Sequence, residues 1–493
     1  MLAKMDTAAL ASNRKANFAA VGGAALFFTI AGIAALSVWL GQNPTWAMKA
    51  CEPGEDGRPA SLDAQEAPTQ LAGTFLAMDG TRSDLPGHWP QFRGADSTNI
   101  YKGPEKLAGS WGEKGPQVLW SVAVGEGFAG PSVLNGCAYL MDYDEEKRAD
   151  VLRCFSLKDG RELWRRSYAV MIKRNHGMSR TIPALTEKYI ITMGPRCHVV
   201  CLDTATGDYR WGIDLKAEYG TEEPLWYTGQ CPIIVDNKAI LAPAGPEVFM
   251  MAVDCETGSV VWKTPNPHGW NMSHSSIMPM TLLGKKMYVY CALGGIAGVS
   301  AEGDDLGTTL WELPWDAKVV APSPVQISED HIYMTAGYGK GSMMLQISRD
   351  QNAFSAKVLS ETAPSEGLAC EQQTPIVANG LMYGIMPKDA GALKGQFVCY
   401  RPDGTMAWSS GQDNRFGLGP FLLADDKFYI LDDDGVLTVL DAQKDTYTQL
   451  SRMRVLEGHD AWGPMAVAGT RLLLRDMHNL VCIEIGAQEP ANA

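Results

Sequence analysis

From residue 88 onward the chain reads as short apolar runs of 5 to 7 residues, separated by Gly, Asn and Asp turns. Runs of that length bounded by turn residues fit strands and not helices, so the pattern predicts an all-β domain. A proline followed by an apolar run and a polar turn recurs as "GPSVLNG", "IPALTEK", "CPIIVDN", "MPMTLLGK", "SPVQISED", "TPIVANG", "GPFLLADD" and "GPMAVAGT". The prolines are Pro131, Pro183, Pro232, Pro279, Pro324, Pro375, Pro420 and Pro464, at spacings of 44 to 52 residues. Each unit holds four strand-like runs, which in the second unit cover 182–186, 189–193, 197–203 and 208–213. Four-stranded units repeated at this period predict an eight-bladed β-propeller in which each blade packs on its neighbours. Proline cannot donate to a ladder, so the proline strand is expected on the inner edge of each blade, facing the channel. The eighth unit lacks an outer strand, and "PQVLWSVAVG" at 116–125 is expected to supply it and close the ring.

The pattern before residue 88 is different. Residues Phe18 to Leu40 carry no charge, a run long enough to cross a bilayer as a helix. Lys4, Arg14 and Lys15 precede it and Glu52, Glu55 and Asp56 follow it, so residues 1–17 are expected in the cytoplasm and everything after 18–40 outside. A cleaved signal peptide is the competing reading, but its apolar region is usually shorter. Lipidation at Cys51 is disfavoured because "MKAC" makes a poor lipobox. Residues 41–88 read as a flexible acidic tether rich in Pro and Gly, 89–486 as the propeller and 487–493 as a disordered tail.

Lys and Arg number 42 against 56 Asp and Glu, giving a net charge of -14. With no basic stripe to follow phosphates, nucleic acid is excluded as a partner. The 11 cysteines are odd in number and irregularly spaced, so buried free thiols are expected in place of a disulfide framework. The "GEGFAG" match at 125–130 leads into a strand instead of opening a helix, which argues against a dinucleotide site. "LDDDGVLTVL" at 431–440 lacks the closing Glu of a calcium loop and fits a tight turn. His268 and His274 have no nearby third ligand in sequence, so no metal site is assigned.

A second repeat places a glycine four residues before a tryptophan: Gly160 and Trp164, Gly207 and Trp211, Gly258 and Trp262, Gly307 and Trp311, Gly404 and Trp408. These tryptophans fall on outer strands and are expected to pack between blades. The "LDxxTGxxxW" spelling and the "HWPQFRG" opening resemble PQQ-like β-propellers, a family that includes quinoprotein alcohol dehydrogenases and the propeller lipoprotein of the outer-membrane assembly machinery. "GPRCHVVCLDTATG", "WNMSHSSIMPM" and "RFGLGPF" resemble membrane-anchored bacterial propellers of that type. The resemblance covers residues 88 to 486 and speaks for the fold; activity must be argued from a site.

In a four-strand meander the segment entering the inner strand and the turn between the second and third strands share one face. The eight segments before the prolines therefore converge on one channel mouth. They carry the candidate ligand-binding residues Arg174, His176, Arg180, Trp226, Tyr227, Gln230, His274, Glu371, Gln372, Gln373, Arg415, His459, Asp460 and Trp462, with Trp270 and Phe416 beside them. Aromatics, amides and charges gathered at a concave mouth suit a ligand. No catalytic motif is recognised, so the leading expectation is a membrane-anchored extracytoplasmic binding or scaffold protein, with an envelope protein or a small molecule at the mouth. The resemblance implies an alternative, a dehydrogenase using pyrroloquinoline quinone with calcium. Arg174, Arg180 and Arg415 would then meet its carboxylates, Trp226 or Trp462 would stack on it and Asp460 would act as base. Against this, the chain has no adjacent Cys-Cys pair and no matching calcium-ligand motif. A polysaccharide or cell-wall ligand stacked on the aromatics is the third reading.

Overall fold

A computed structural model describes residues 5–41, 68–174 and 177–487 and divides the chain into two units, Met1–Pro68 and Thr69–Ala493. In the first, Met5–Gly41 is one α-helix. Its Val21–Gly41 portion is long and apolar enough to cross a membrane, and its Phe27, Phe28 and Trp39 side chains are exposed. The expected tail falls, apart from Ala487, outside the described residues, as does the tether between 42 and 67.

The second unit is an eight-bladed β-propeller of antiparallel four-stranded blades. Blades 1 to 8 open on inner strands Ser132–Leu134, Ala184–Leu185, Ile233–Val235, Met278–Leu282, Val325–Gln326, Ile376–Ala378, Phe421–Ala424 and Ala466–Ala468. The four strands of blade 2 are Ala184–Leu185, Tyr189–Met193, His198–Asp203 and Tyr209–Asp214, within two residues of the expected runs at each end. Middle strands are apolar on both faces because each blade is sandwiched between two others; all of Tyr189–Met193 is buried. Outer strands alternate, as in Tyr209–Asp214, where Trp211 and Ile213 point inward. The outer strand of blade 8 is Val118–Ala123, paired with Asn479–Glu484, so the ring closes as the missing outer strand demanded.

The glycine and tryptophan repeat forms the joints. A Cβ added at Gly160, Gly258 or Gly307 would come within 2.7 to 2.8 Å of the ring of Trp120, Trp211 or Trp262, each on the preceding blade. At Gly207 the Trp164 ring would lie 3.1 Å from such a Cβ, with the Phe75 ring at 2.9 Å. These glycines have φ of 69 to 81°, where a side chain is strained even without the ring. The indole N–H of Trp120 donates to the Leu157 carbonyl and that of Trp211 to Cys255, fixing each ring on the next blade's turn. The pattern lapses at blade 6, where Gly404 has no neighbour in reach and Trp408 packs beside Tyr447.

Three expectations change. Residues 68–88 are not tether: Thr74–Ala77 pairs with Glu162–Ala169 and adds a strand outside blade 1, held by Phe75 beside Trp164. Most of the repeat prolines lie just before the inner strand, and only Pro279 sits within one. The inner edges of two blades are covered as well, because His88–Trp89 pairs with Ser132–Leu134 and Ile100–Tyr101 runs parallel to Phe421–Ala424. The stretch between them crosses the channel. Its buried Arg93 donates to the carbonyls of Ser97, Thr98, Thr374 and Pro375, each at 2.9 Å. The "HWPQFRG" opening is thus a plug across the channel.

All ten described cysteines are buried and unbridged. The "LDDDG" stretch is the turn between the second and third strands of blade 7.

Candidate functional site at the channel mouth

Above the plug lies a cavity of about 370 Å³, within the range of small-molecule sites. Its walls are entry segments and turns of the shared face. Phe128 enters from blade 1, Arg180 from blade 2, Trp226 from blade 3, His274 from blade 4, Glu371, Gln372 and Gln373 from blade 6, and Trp462 from blade 8. The turn after the second strand contributes Tyr338 in blade 5 and Lys388 in blade 6, and Phe92 reaches in from the plug.

Local structure explains these positions. Trp226 and Tyr227 both have positive φ, 66° and 71°, in a region that side chains other than glycine rarely occupy. Tyr227 holds that turn, since its hydroxyl accepts from the Lys173 N–H and donates to the Lys173 carbonyl, both at 2.7 Å. The strained turn turns Trp226 into the cavity, where it stacks on His274 at 6.3 Å and leans on Tyr338 at 5.7 Å. Across the cavity Trp462 lies 4.9 Å from Phe128. Its indole N–H donates to Asp433 Oδ1 at 2.7 Å, and its carbonyl accepts from Gln373 Nε2 at 3.1 Å. Burial raises the Asp433 pKa, with its bonds from Leu418 N–H and Trp462 opposing that.

The charges are few. Arg180 rests over the face of Phe128, 5.5 Å from the ring centre, and burial lowers its pKa to about 10, leaving it protonated at neutral pH. Burial, helped by the Arg180 charge, pulls His274 down to about 4, so its imidazole is neutral there. Glu371 is buried and takes Lys388 Nζ at 2.8 Å, while Lys388 Nζ also sits 4.4 Å above the Tyr338 ring. A cavity with one neutral imidazole and flat aromatic walls can hold a molecule; no described side chains form a hydrogen-bonded nucleophile and base pair within it.

Seven of the fourteen residues chosen from the sequence line this cavity: Arg180, Trp226, His274, Glu371, Gln372, Gln373 and Trp462. The others do other work. Arg174 is 72% exposed and paired with Glu126. Gln230 is fully buried and bonds both the N–H and the carbonyl of Ala242 and the Tyr290 hydroxyl, which makes it a clamp inside blades 3 and 4. Arg415 donates to the carbonyls of Gln412 and Lys394. His459 and Asp460 pair with each other at 3.0 Å outside the cavity lining. Trp270 is buried against His268, and Phe416 is core. His176 lies outside the described residues. Phe92, Phe128, Tyr338 and Lys388 were not selected from the sequence. The rule that turns share the face with entry segments would have found Tyr338 and Lys388, and Phe128 stands three residues before Pro131.

The quinone arrangement expected from the resemblance does not fit. Of its three arginines only Arg180 reaches the cavity, Asp460 lies outside the lining, and no three His, Cys, Asp or Glu side chains among the described residues are grouped to hold a calcium ion.

Comparison with known proteins bears on the fold. A family model described as outer membrane protein assembly factor BamB matches residues 110–289 and 147–401, together more than half of the chain. No curated protein matches the chain in sequence. Among solved structures, a quinohemoprotein alcohol dehydrogenase from Pseudomonas putida HK5 superposes with a TM-score of 0.57 at 15% identity, covering 83% of this chain and 82% of that one. A europium-containing methanol dehydrogenase gives 0.56 at 13% identity, covering 79% and 89%. BamB from Moraxella catarrhalis gives 0.50 at 12% identity, covering 75% and 100%. At such identities the likeness concerns the propeller alone.

Proposed function

Because the chain belongs to the PQQ-repeat propeller family whose model is described as outer membrane protein assembly factor BamB, we propose that it is a binding protein of the cell envelope. In this reading the helix that includes Val21–Gly41 anchors it, the propeller lies on the extracytoplasmic side, and the channel mouth takes the ligand or partner segment. One observation carries the reading: eight unlike entry segments and two turns meet around one aromatic cavity, although the rest of each blade is built to a common plan. Repetition maintains the ring without them, so their convergence calls for a reason beyond packing.

The test uses the full chain in detergent with Trp226→Ala and Trp462→Ala. Loss of a captured envelope partner or small ligand, with the unfolding midpoint little changed, is expected. Capture that survives both substitutions would place the binding surface elsewhere. Stacking of a sugar ring on Trp226 or Trp462 is a variant of the same reading, and glycan arrays on the same proteins address it. The dehydrogenase alternative keeps the aromatic walls and Arg180 in its favour but lacks the other donors. Dye reduction after reconstitution with the quinone and calcium would reverse that order.

A further inference from the structure

We propose that the mouth cavity recognises a flat ring whose edge carries an N–H or O–H donor, with the donor on Gln373 or His274 and the ring face against Phe128 and Trp462. The inference rests on the reading of this mouth as a binding site and adds the chemistry of what it takes.

Hydrogen-bond polarity is fixed at two positions of the lining. A glutamine amide offers two N–H donors and one acceptor oxygen, and its neighbours decide which way it turns. Around Gln373 the neighbours are carbonyls: Nε2 donates to the Trp462 carbonyl at 3.1 Å and to the Leu418 carbonyl at 3.4 Å. Both amide hydrogens are used there, and a flipped amide would set oxygen against oxygen. The Gln373 Oε1 has no hydrogen-bond partner among the described residues and is not sealed from solvent, so at the cavity wall it stands as an acceptor. Its anchor on the Trp462 carbonyl sets it beside the flat wall that Trp462 and Phe128 form at 4.9 Å and 30°.

His274 reaches the same polarity by another route. Burial, then the nearby Arg180 charge, hold its pKa at about 4, and the ring donates one N–H to the Leu225 carbonyl. A neutral imidazole with its N–H so committed has an acceptor in its second nitrogen. Gly229, also in the lining, keeps the ring edge clear: a Cβ there would stand 3.2 Å from Nδ1 and 3.1 Å from the His274 Cβ. The cationic donors of the lining have partners of their own. Lys388 Nζ donates to Glu371 at 2.8 Å, and Arg180 lies over Phe128 and donates to the Gly177 carbonyl at 3.5 Å. The Trp462 indole N–H is taken by Asp433. A ring edge bearing only acceptors would meet acceptors at Gln373 and His274 and strip water from both; an edge bearing a donor replaces that water.

The experiment is calorimetric titration of the full chain in detergent, at neutral pH, with theophylline and caffeine, two uncharged flat rings that differ in one N–H replaced by N-methyl. Theophylline is expected to bind about three- to tenfold tighter, the worth of one neutral hydrogen bond. Gln373→Met and His274→Phe should each lower theophylline affinity toward that of caffeine, and the double substitution should erase the preference. Caffeine affinity reports intact aromatic walls and should stay within about twofold throughout, which separates loss of an acceptor from loss of fold. Gly229→Ala leaves both acceptors in place and crowds the edge of His274, so a partial loss of the preference is expected there, and it decides the matter if His274→Phe costs caffeine binding. Equal affinity for the two molecules, or tighter binding of caffeine, overturns the inference while leaving a binding site in place. A preference for theophylline that survives the double substitution also overturns it, because the donor is then read elsewhere. If neither molecule binds, the inference fails and the mouth reading stands or falls on partner capture alone.

Discussion

The turns between the outer strands and the segments entering the inner strands occur once per blade, yet they have been treated oppositely by the sequence. At the periphery one arrangement is copied from blade to blade: Trp120 on Gly160, Trp164 on Gly207, Trp211 on Gly258, Trp262 on Gly307. At the mouth every segment differs, and the differing residues share a cavity. A repeated residue in a repeat protein answers to its neighbouring repeat, whereas a residue that departs from the repeat is released to meet something else. The family-defining spelling is therefore the least informative part of the chain about binding, and the irregular entry segments are the most.

Four substitutions break or sharpen that contrast. The largest effect is expected for Trp211→Ala, which empties a joint between blades 2 and 3 and removes the bond to the Cys255 carbonyl; a loss of about 3 to 5 kcal/mol should appear as a lowered denaturation midpoint. Ligand affinity of the folded fraction should be unchanged, and a parallel loss of affinity would erase the distinction between the two regions.

Asp150 comes next. It is buried between blades 1 and 2, bonded by the Tyr168 hydroxyl at 2.7 Å with no hydrogen-bond partner for its other oxygen among the described residues, and burial raises its pKa to about 7. The folded protein then holds a proton that the unfolded chain has released, so stability declines as pH rises from about 4 to about 7, by roughly 2 to 4 kcal/mol, and levels off above. Asp150→Asn should flatten that slope in thermal melts at several pH values. No decline in the original protein would mean the carboxyl ionises without penalty.

Gly258→Ala adds a Cβ 2.8 Å from the Trp211 ring at φ of 73° and is expected to cost about 1 to 3 kcal/mol. The smallest effect belongs to Arg174→Ala: its ion pair with Glu126 lies in solvent on the arginine side, so the denaturation midpoint should move little and ligand affinity not at all. A clear affinity loss there would extend the site beyond the cavity.

How much of this was readable follows the same division. The ring, its eight units and its closure by residues 116–125 were legible because repeats reveal themselves by comparison with one another. The mouth was half legible. Topology named the segments, but whether a side chain turns into the cavity depends on details no periodicity encodes. Gln230 looks like Gln373 in sequence, yet one clamps Ala242 and the other lines the cavity. Arg174 and Arg180 are six residues apart, and only the second faces inward. The plug was missed outright, since "HWPQFRG" has no counterpart within the chain to show what it does.

The pairing of Val118–Ala123 with Asn479–Glu484 has a temporal side. Over three hundred residues separate the two strands, so a chain emerging vectorially carries an incomplete eighth blade until its end is free. Loop closure over that distance is slow, and the open ring meanwhile exposes sheet edges that could pair with another chain. Removing the last strand should accordingly trap a species that is aggregation-prone and readily digested from both ends at once.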